Sequence, residues 1–455
     1  MPLLIVLSLL ALPAGESTPR GRLVENVACQ SDPSQTYTLF LPPAYSADRR
    51  WPLLLIFDSR GRGTFAAEIF REPAEAHGWI ILSSNNTRSD GPMEPNQKAL
   101  EAMWPEANLR YASDPGRIYA AGFSGGAVLS WALAQTTGGI AGVISAGGRR
   151  DAGIPVEKIE FAHFGAAGVR DFNHDEMLRL DALMASKKAL HRLEIFPGGH
   201  SWMPKPLAAA AIRWMEIVAM KRELRARDQR LIDETYAAES ARAETLEREG
   251  KKLDSARQWE MLVRTFEGLR DVTAASTRSK ALRADRETQR AERDEKRWND
   301  WEARTVQRAY AMLNRIGAEE VMVEPALVRS LEIAGLQKRA AQPSYEGGAA
   351  QRVLESILVH ASFYLPQELF PRARYREAAA VLAVAVAIRD DVRSWYNLGA
   401  ARARLGRRND ALAALERAIQ LGYKDHAHLG SDADYASVRS DPRYQRLLES
   451  LPAPP

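Results

Sequence analysis

The sequence predicts an α/β fold with a mostly parallel sheet, followed by an all-α helical-repeat region. Between Thr36 and Met220, short and nearly all-apolar runs alternate with segments of helical length. Such runs are typical of parallel strands that are covered on both faces. After Met220 the strand signals stop, and Lys221 to Ala334 is rich in the helix-favouring residues Glu, Lys, Arg, Ala and Leu.

The predicted elements of the first region follow one another in a regular order. Apolar runs predict strands at Tyr37–Pro42, Pro52–Asp58, Trp79–Ser83, Arg117–Gly122, Gly142–Ala146, Phe161–Gly165 and His191–Phe196. The segments between and after them predict helices at Phe65–His77, Gln97–Tyr111, Gly125–Thr136, Asp175–Ser186 and Pro206–Met220. We therefore expect one α/β domain over residues 30–220.

Charge and composition exclude some classes of partner. The 455 residues carry a formal net charge of +4, and acidic and basic residues are interspersed. A nucleic-acid-binding face needs Lys and Arg concentrated on one surface, so we expect no nucleic-acid partner. Cys29 is the only cysteine, which excludes an intramolecular disulfide.

The N-terminus is an uncharged apolar run that small residues follow. Residues 1–15 therefore predict a signal peptide and an exported, periplasmic or secreted protein. The alternatives are a mis-assigned start or a disordered apolar tail, and the protein would then be cytoplasmic. The run is too short to cross a bilayer, which takes ~20 apolar residues, and no later segment is apolar enough, so we expect no stable membrane insertion.

One motif has the pattern of a catalytic nucleophile. Gly122–Gly126 reads GFSGG and lies between a predicted strand and a predicted helix. A sharp strand-to-helix turn needs small neighbours two residues before and after its centre, and it exposes the central hydroxyl, here that of Ser124. The backbone N–H of Gly125, at the start of the helix, is then available to stabilise an oxyanion.

A serine nucleophile needs a base and an acid. We expect both to follow the serine in the chain, first the acid and then the histidine that serves as the base. His200 lies in a glycine-containing loop after the last predicted strand and is the expected base. Asp171 is the first carboxylate after the preceding strand and is the expected acid. Asp175 is the rival, although it suits equally well the N-cap of the next helix. The nearby histidines and carboxylates match no common metal-ligand spacing, so we expect no metal.

Further site residues follow from the loops at the same edge of the sheet. A second oxyanion donor is expected after the strand Pro52–Asp58, from the backbone N–H of Ser59 or Arg60. The side chains of Arg60 and Arg62 suit either an acidic substrate or simple solvation. Four further residues are expected to contact substrate, two in the loop after Trp79–Ser83 and two beside the nucleophile and the base: Asn85, Asn86, Phe123 and Trp202.

These motifs resemble a known family. Residues 37–214 are similar to the compact α/β-hydrolases related to polyhydroxybutyrate depolymerases and feruloyl esterases, through Asp114–Ala127 (DPGRIYAAGFSGGA) and Pro197–His200 (PGGH). The resemblance implies an α/β-hydrolase fold and cleavage of an ester-containing small molecule or polymer through an acyl-enzyme on Ser124, without a cofactor. Many relatives have a His-Gly-Gly type sequence where this chain has Asp58–Gly63.

The C-terminal region resembles tetratricopeptide repeats. Large and small residues recur at repeat spacing at Trp395, Leu398, Gly399, Gly406, Ala411, Leu415 and Ala418, with a partial match at Ala378, Leu382 and Ala385 and a weaker one at Gly250, Ser255, Trp259 and Leu262. We expect a charged helical region over residues 221–340, with one degenerate repeat at most, and a repeat domain over residues 349–455. Such repeats imply a protein or peptide partner. The alternative to a repeat is an ordinary helical bundle.

Two other functions remain open from the sequence. One is an inactive hydrolase-fold protein whose helical repeats bind a partner. The other is a serine peptidase or acyltransferase that uses the same three residues, because these reactions share the acyl-enzyme intermediate.

Overall fold

The computed structural model describes residues 18–148, 158–318 and 324–452. The predicted signal peptide lies outside these ranges and stays a prediction. The chain forms two compact units, Met1–Glu292 and Arg293–Pro455. The sequence placed its boundaries elsewhere, after residue 220 and around residues 341–348.

The first unit contains one eight-stranded sheet in the order β1-β2-β4-β3-β5-β6-β7-β8. Its strands are β1 Leu23–Ala28, β2 Thr36–Phe40, β3 Trp51–Phe57, β4 Ile80–Ser84, β5 Ser113–Phe123, β6 Gly142–Ala146, β7 Ala162–Gly168 and β8 His191–Phe196. β3 to β8 pair in parallel, whereas β1 and β2 join at one edge in antiparallel pairs. The predicted α/β-hydrolase fold with a mostly parallel sheet is confirmed.

The apolar strands feed two cores, one on each face of the sheet. In β3, whose seven residues are all buried, Leu53 and Leu55 belong to one core, while Leu54 and Ile56 belong to the other. This division follows from the period of two along a strand, which sends successive side chains to opposite faces. A strand that is buried on both sides cannot alternate polar and apolar residues, which is why β3 is continuously apolar.

Five helices cover the sheet, at α1 Gly63–His77, α2 Glu94–Pro105, α3 Gly125–Thr137, α4 His174–Ser186 and α5 Lys205–Lys221. α1 and α5 supply Phe70 and Trp214 to one core. α2, α3 and α4 supply Met103, Trp131 and Met177 to the other. The predicted helix Gln97–Tyr111 is divided, because a π-helical turn over Glu106–Arg110 follows α2.

Three further helices belong to the first unit, at α6 Gln229–Arg248, α7 Lys252–Phe266 and α8 Thr273–Ala284. Ile217 and Met220 of α5 share a core with Trp259 and Leu262 of α7. The sequence indicated a boundary at residue 220 because strands cease there. The apolar packing nevertheless continues across that point, so the compact unit extends to Glu292.

The remaining described chain is helical, which confirms the predicted all-α region. Its helices are α9 Arg286–Ala318, α10 Glu324–Ser330, α11 Ile333–Ala340, α12 Tyr345–Val359, α13 Leu365–Leu369, α14 Tyr375–Ile388, α15 Val392–Arg404, α16 Arg408–Gln420, α17 His426–Ser431 and α18 Pro442–Glu449. A π-helical turn, His360–Tyr364, lies between α12 and α13, and a 3₁₀ turn, Ala433–Val438, precedes α18. Among the described residues, no helix combines the length and apolarity needed to cross a membrane.

One pair of these helices corresponds to the predicted last repeat. α15 and α16 are joined by a short turn at Gly406, which has a φ of +71°. A Cβ added at Gly399 of α15 would lie 3.1 Å from the carbonyl oxygen of Ala411 in α16, so the two backbones approach closely there. The assignment of this pair as a tetratricopeptide repeat stays a prediction.

Candidate active site

Ser124 is the single residue between β5 and α3. β5 ends at Phe123 and α3 begins at Gly125, so the chain turns within one residue. Ser124 has φ 55° and ψ −121°, a conformation that L-residues rarely adopt and that costs about 1–3 kcal/mol. Its N–H donates to the carbonyl oxygen of Ala146 at 2.9 Å, which fixes the turn against the end of β6.

The flanking glycines are required by backbone contacts. A Cβ at Gly122 would lie 2.1 Å from the carbonyl oxygen of Gly126, and a Cβ at Gly126 would lie 1.9 Å from that of Phe57. Both distances are far below van der Waals contact. Any larger residue would therefore push the turn away from β3, as the sequence motif predicted.

The structure brings the three predicted catalytic residues together. His200 Nε2 lies 3.0 Å from Ser124 Oγ, and His200 Nδ1 lies 2.9 Å from Asp171 Oδ1. Asp171 is fully buried, whereas the side chain of His200 remains 19% exposed. The arrangement has the distances of a nucleophile, a base and an orienting acid, although the catalytic role of each residue stays a prediction.

Backbone and ring contacts hold the acid and the imidazole. Asp171 Oδ1 also accepts the N–H of Asn173 at 2.8 Å, and the Asn173 amide donates to the carbonyl oxygen of Gly147 at 2.7 Å. Gly147 has a φ of +54°, and a Cβ there would lie 2.5 Å from Asp171 Oδ2. The ring of Phe172 lies 4.2 Å from that of His200, centroid to centroid.

Asp175, the rival acid, lies in the first turn of α4 and pairs with Arg179 one helical turn later. It is not the N-cap either, because Asn173 occupies that position. The geometry therefore favours Asp171 over Asp175 as the partner of His200.

The hydrogen bonds of the β3 loop distinguish the two candidate oxyanion donors. The Arg60 N–H donates to Asp58 Oδ1 at 2.9 Å, so it is already engaged. The described residues show no acceptor for the Ser59 N–H. At the other side of the nucleophile, Gly125 is the first residue of α3, and an N–H there has no intrahelical acceptor. Of the two N–H groups in the β3 loop, that of Ser59 is therefore the one without an acceptor among the described residues, and the donor role of Ser59 and Gly125 stays a prediction.

The two arginines of this loop differ in their partners. Arg62 Nη2 lies 2.9 Å from Asp58 Oδ2, so the guanidinium of Arg62 forms an ion pair with the carboxylate of Asp58. Arg60 is exposed, and no ion pair within the described part of the chain involves it. Of the two side chains, Arg60 is therefore the one whose charge has no ion-pair partner within the described residues.

The predicted substrate contacts at Asn85 and Asn86 are directed elsewhere. Asn85 Nδ2 donates to Thr36 Oγ1 at 3.1 Å, and Asn86 Oδ1 accepts the N–H of Thr36 at 2.8 Å. These amides tie the β4 loop to the start of β2. The same loop reaches the nucleophile through Ser89, since a Cβ at Gly125 would lie 2.3 Å from Ser89 Cβ. The sequence analysis missed Ser89, which no local motif marks.

Phe123 and Trp202 lie beside the site but are largely covered. Phe123 is 7% exposed and Trp202 is 6% exposed, so little of either ring is open to a substrate. The Phe123 ring lies 4.7 Å from that of His200 and 5.9 Å from that of Trp202. Phe123 therefore packs against the imidazole and Trp202 packs against Phe123, and neither ring is open as a binding surface.

A second histidine of the sheet, His163 of β7, has a structural environment. It is 1% exposed, and its Nε2 lies 2.5 Å from Ser145 Oγ. Burial, with a smaller contribution from the nearby His191, lowers the pKa of His163 to about 3. His163 is therefore neutral at physiological pH. Within the ranges described, no group of His, Cys, Asp and Glu side chains is arranged to hold a metal ion.

Comparisons with known proteins return solved structures only. No protein-family model and no curated protein matches the chain. Similar structures include the S-formylglutathione hydrolase FrmB of Staphylococcus aureus, at 15% identity and a TM-score of 0.36 over 44% of this chain and 99% of that one. A Bacillus cereus carboxylesterase has 17% identity and a TM-score of 0.34 over 41% and 96%, and a ferulic acid esterase has 16% and 0.33 over 43% and 97%.

Proposed function

We propose that this chain is a serine hydrolase that cleaves carboxylic esters through an acyl-enzyme on Ser124. The observation that carries the proposal is the continuous contact from Asp171 through His200 to Ser124, at 2.9 and 3.0 Å, around a strained turn. A strained, partly exposed serine hydroxyl beside an imidazole is costly to maintain for packing alone. It is the arrangement that activates a serine nucleophile.

In the proposed mechanism, His200 Nε2 accepts the proton of Ser124 Oγ as the oxygen attacks the ester carbonyl. The carbonyl oxygen becomes an oxyanion, which the N–H groups of Gly125 and Ser59 stabilise. His200 then donates its proton to the departing alcohol, leaving an acyl group on Ser124. Water, deprotonated by His200, attacks this acyl-enzyme. His200 then returns the proton to Ser124 Oγ as the acyl bond breaks and the carboxylic acid leaves. Asp171 stabilises the imidazolium in both halves of the reaction.

The first test is the Ser124→Ala variant, assayed with a series of p-nitrophenyl esters of increasing acyl length. We expect kcat/KM to fall by at least about a thousandfold, because the nucleophile is lost and only transition-state binding remains. Ser186→Ala, at an exposed serine at the end of α4, is the matched control and should retain wild-type turnover. Equal turnover in Ser124→Ala and wild type would remove Ser124 from the mechanism.

The alternatives are separated by substrate and probe. A fluorophosphonate that labels Ser124 in the wild-type chain excludes the inactive-scaffold alternative, because labelling requires an activated hydroxyl. Hydrolysis of peptide amides at rates comparable to those of esters indicates a peptidase. Transfer of the acyl group to an added alcohol in preference to water indicates an acyltransferase.

A further inference from the structure

The carboxylate that follows β3 has hydrogen-bond partners both in its own loop and in a distant loop. Asp58 is fully buried and follows the last residue of the strand. Its Oδ1 accepts the N–H groups of Arg60 at 2.9 Å and Arg62 at 3.2 Å. Its own carbonyl oxygen accepts the Thr87 hydroxyl at 2.9 Å. These hydrogen bonds fix the conformation of the turn that contains Ser59.

The second carboxylate oxygen reaches a different part of the chain. Asp58 Oδ2 accepts the indole N–H of Trp202 at 2.8 Å, across 144 residues of sequence. Trp202 follows His200 by two residues, in the loop after β8. A turn-forming aspartate needs only local partners, so this long-range bond requires a separate explanation.

The ring of Trp202 connects Asp58 with the catalytic site through aromatic packing. Its ring lies 5.9 Å from Phe70 of α1 and 5.9 Å from Phe123, the residue before the nucleophile. Phe123 in turn lies 4.7 Å from the His200 ring. The indole is therefore packed against the helix after the β3 loop, against the nucleophile turn and, through Phe123, against the base.

The ionised form of Asp58 is the form that these contacts favour. Burial alone would raise the pKa of its carboxyl, but hydrogen bonds from Arg62, from Trp202 and from the N–H groups of Arg60 and Arg62 outweigh burial and lower the pKa. Asp58 thus remains a carboxylate at neutral pH, with both oxygens accepting. A neutral Asn could not accept through both positions.

We propose that Asp58 is a positioning residue that joins the loop of the oxyanion donor Ser59 to the loop of His200, through the indole of Trp202. The inference rests on the proposed function, because it concerns the alignment of that same site. Asp58 acts on the reaction without touching the substrate: one oxygen shapes the turn before α1, and the other holds the loop that carries the base. Small displacements of either loop reduce turnover more than they reduce binding.

The test is Trp202→Phe in the full chain, with Trp79→Phe as a matched control. Both substitutions remove an indole N–H that donates to a buried carboxylate, and both keep an aromatic ring. In the control, the lost hydrogen bond is the one from Trp79 Nε1 to Glu216 Oε1, at 2.6 Å. Trp79 precedes β4, at the opposite end of that strand from the site. Steady-state kinetics with a p-nitrophenyl ester and thermal unfolding are measured for each variant.

We expect kcat of Trp202→Phe to fall about tenfold with KM within about threefold of wild type, as for a misaligned site. Trp79→Phe should lower the Tm by about as much as Trp202→Phe does, but without this change in kcat. A kcat of Trp202→Phe within twofold of wild type, or an equal loss of kcat in Trp79→Phe, would overturn the inference.

A double-mutant cycle with Asp58→Asn separates a specific link from general loosening. If Trp202 acts through Asp58, Trp202→Phe should lower kcat less than about twofold in the Asp58→Asn background, because the link is already broken. An equal factor in both backgrounds contradicts the link. Should Asp58→Asn fail to fold, the comparison of the two Trp→Phe variants decides alone.

Failure of this inference differs from failure of the proposed function. If the wild-type chain neither turns over esters nor reacts with a fluorophosphonate, the proposed function is wrong. If the wild type is active and loses activity in Ser124→Ala, while Trp202→Phe matches the wild type, only the role of Asp58 is wrong.

Discussion

Small residues serve different purposes at the nucleophile turn and in the last helical pair. At the turn, Gly122 and Gly126 let backbones pass at distances that no side chain would allow, and Ser124, at the centre of the turn, stays partly exposed. In α15, Gly399 faces the hydroxyl of Tyr435, which would lie 2.3 Å from an added Cβ. Tyr435 is fully buried and donates to the carbonyl oxygen of Tyr396 at 2.7 Å.

The difference bears on what each region can bind. The glycines of the turn expose the hydroxyl of Ser124, which we propose as the nucleophile, whereas the glycine of α15 makes room for the chain's own tyrosine. On that face of α15, Ala400 and Ala403 are also buried, and Ser437 donates to the carbonyl oxygen of Ala403 at 2.7 Å. If the helical region has a protein or peptide partner, we propose that the partner binds away from this face.

Among substitutions of the small residues compared above, the largest expected effect is that of Gly126→Ala. The new Cβ would collide with the backbone of Phe57, so the turn must shift and Ser124 must move from His200. We expect kcat/KM for esters to fall at least about a hundredfold, because nucleophilic catalysis depends on this geometry.

The control for this prediction is Gly91→Ala, since an added Cβ at Gly91 meets no atom within 4 Å. Its ester turnover should equal that of the wild type. Wild-type turnover in Gly126→Ala would show that the turn does not constrain the site in the way described here.

A smaller effect is expected from Gly399→Ala, which acts on stability. The added methyl group meets the Tyr435 hydroxyl, and overpacking of this kind costs about 1–3 kcal/mol. Tyr435→Phe removes the hydroxyl and should therefore restore part of the loss in the double variant, although alone it costs about 1 kcal/mol. Urea denaturation of the four chains measures both effects.

Gly335→Ala in α11 provides the helical control, because an added Cβ there meets nothing within 4 Å. Replacing a helical glycine by alanine at an open position should stabilise by up to about 1 kcal/mol. Strictly additive losses from Gly399→Ala and Tyr435→Phe would mean that the two positions do not meet.

The last expected effect concerns the pH dependence of stability. Burial lowers the pKa of His163 from 6.5 to about 3, so between these values the unfolded chain binds a proton that the folded chain does not. Stability therefore falls as the pH is lowered below about 6.5, by up to about 2 kcal/mol at pH 5. His163→Gln should flatten the change in urea midpoint between pH 7.5 and pH 5.0. If the urea midpoint of the variant changed with pH as much as that of the wild type, a neutral, buried His163 would be contradicted.

The parts of the fold and site that were predictable are those with local causes. Apolar runs predicted β3 to β8 because burial on both faces demands them, and the glycines around Ser124 predicted the turn because only glycine fits there. β1 was missed, since this edge strand is half-exposed and its sequence, LVENVA, does not alternate. The division at residue 220 differed from the observed unit because helical packing continues past the last strand.

Other features depend on contacts that no local pattern records. The choice between Ser59 and Arg60 depends on which N–H the Asp58 carboxylate engages. The tie from Asp58 to Trp202 spans 144 residues. Asn85 and Asn86 follow a strand on the correct edge, yet their amides bond to β2, which the chain order alone does not indicate.

The most direct measurement is intact-protein mass spectrometry, with peptide mapping, during turnover of an activated ester. The account predicts a transient acyl adduct on Ser124 that decays as product forms, and a strongly reduced adduct in His200→Gln, where the base is lost. Ester turnover with the adduct on another residue, or an equal rate of acylation in His200→Gln, would contradict it.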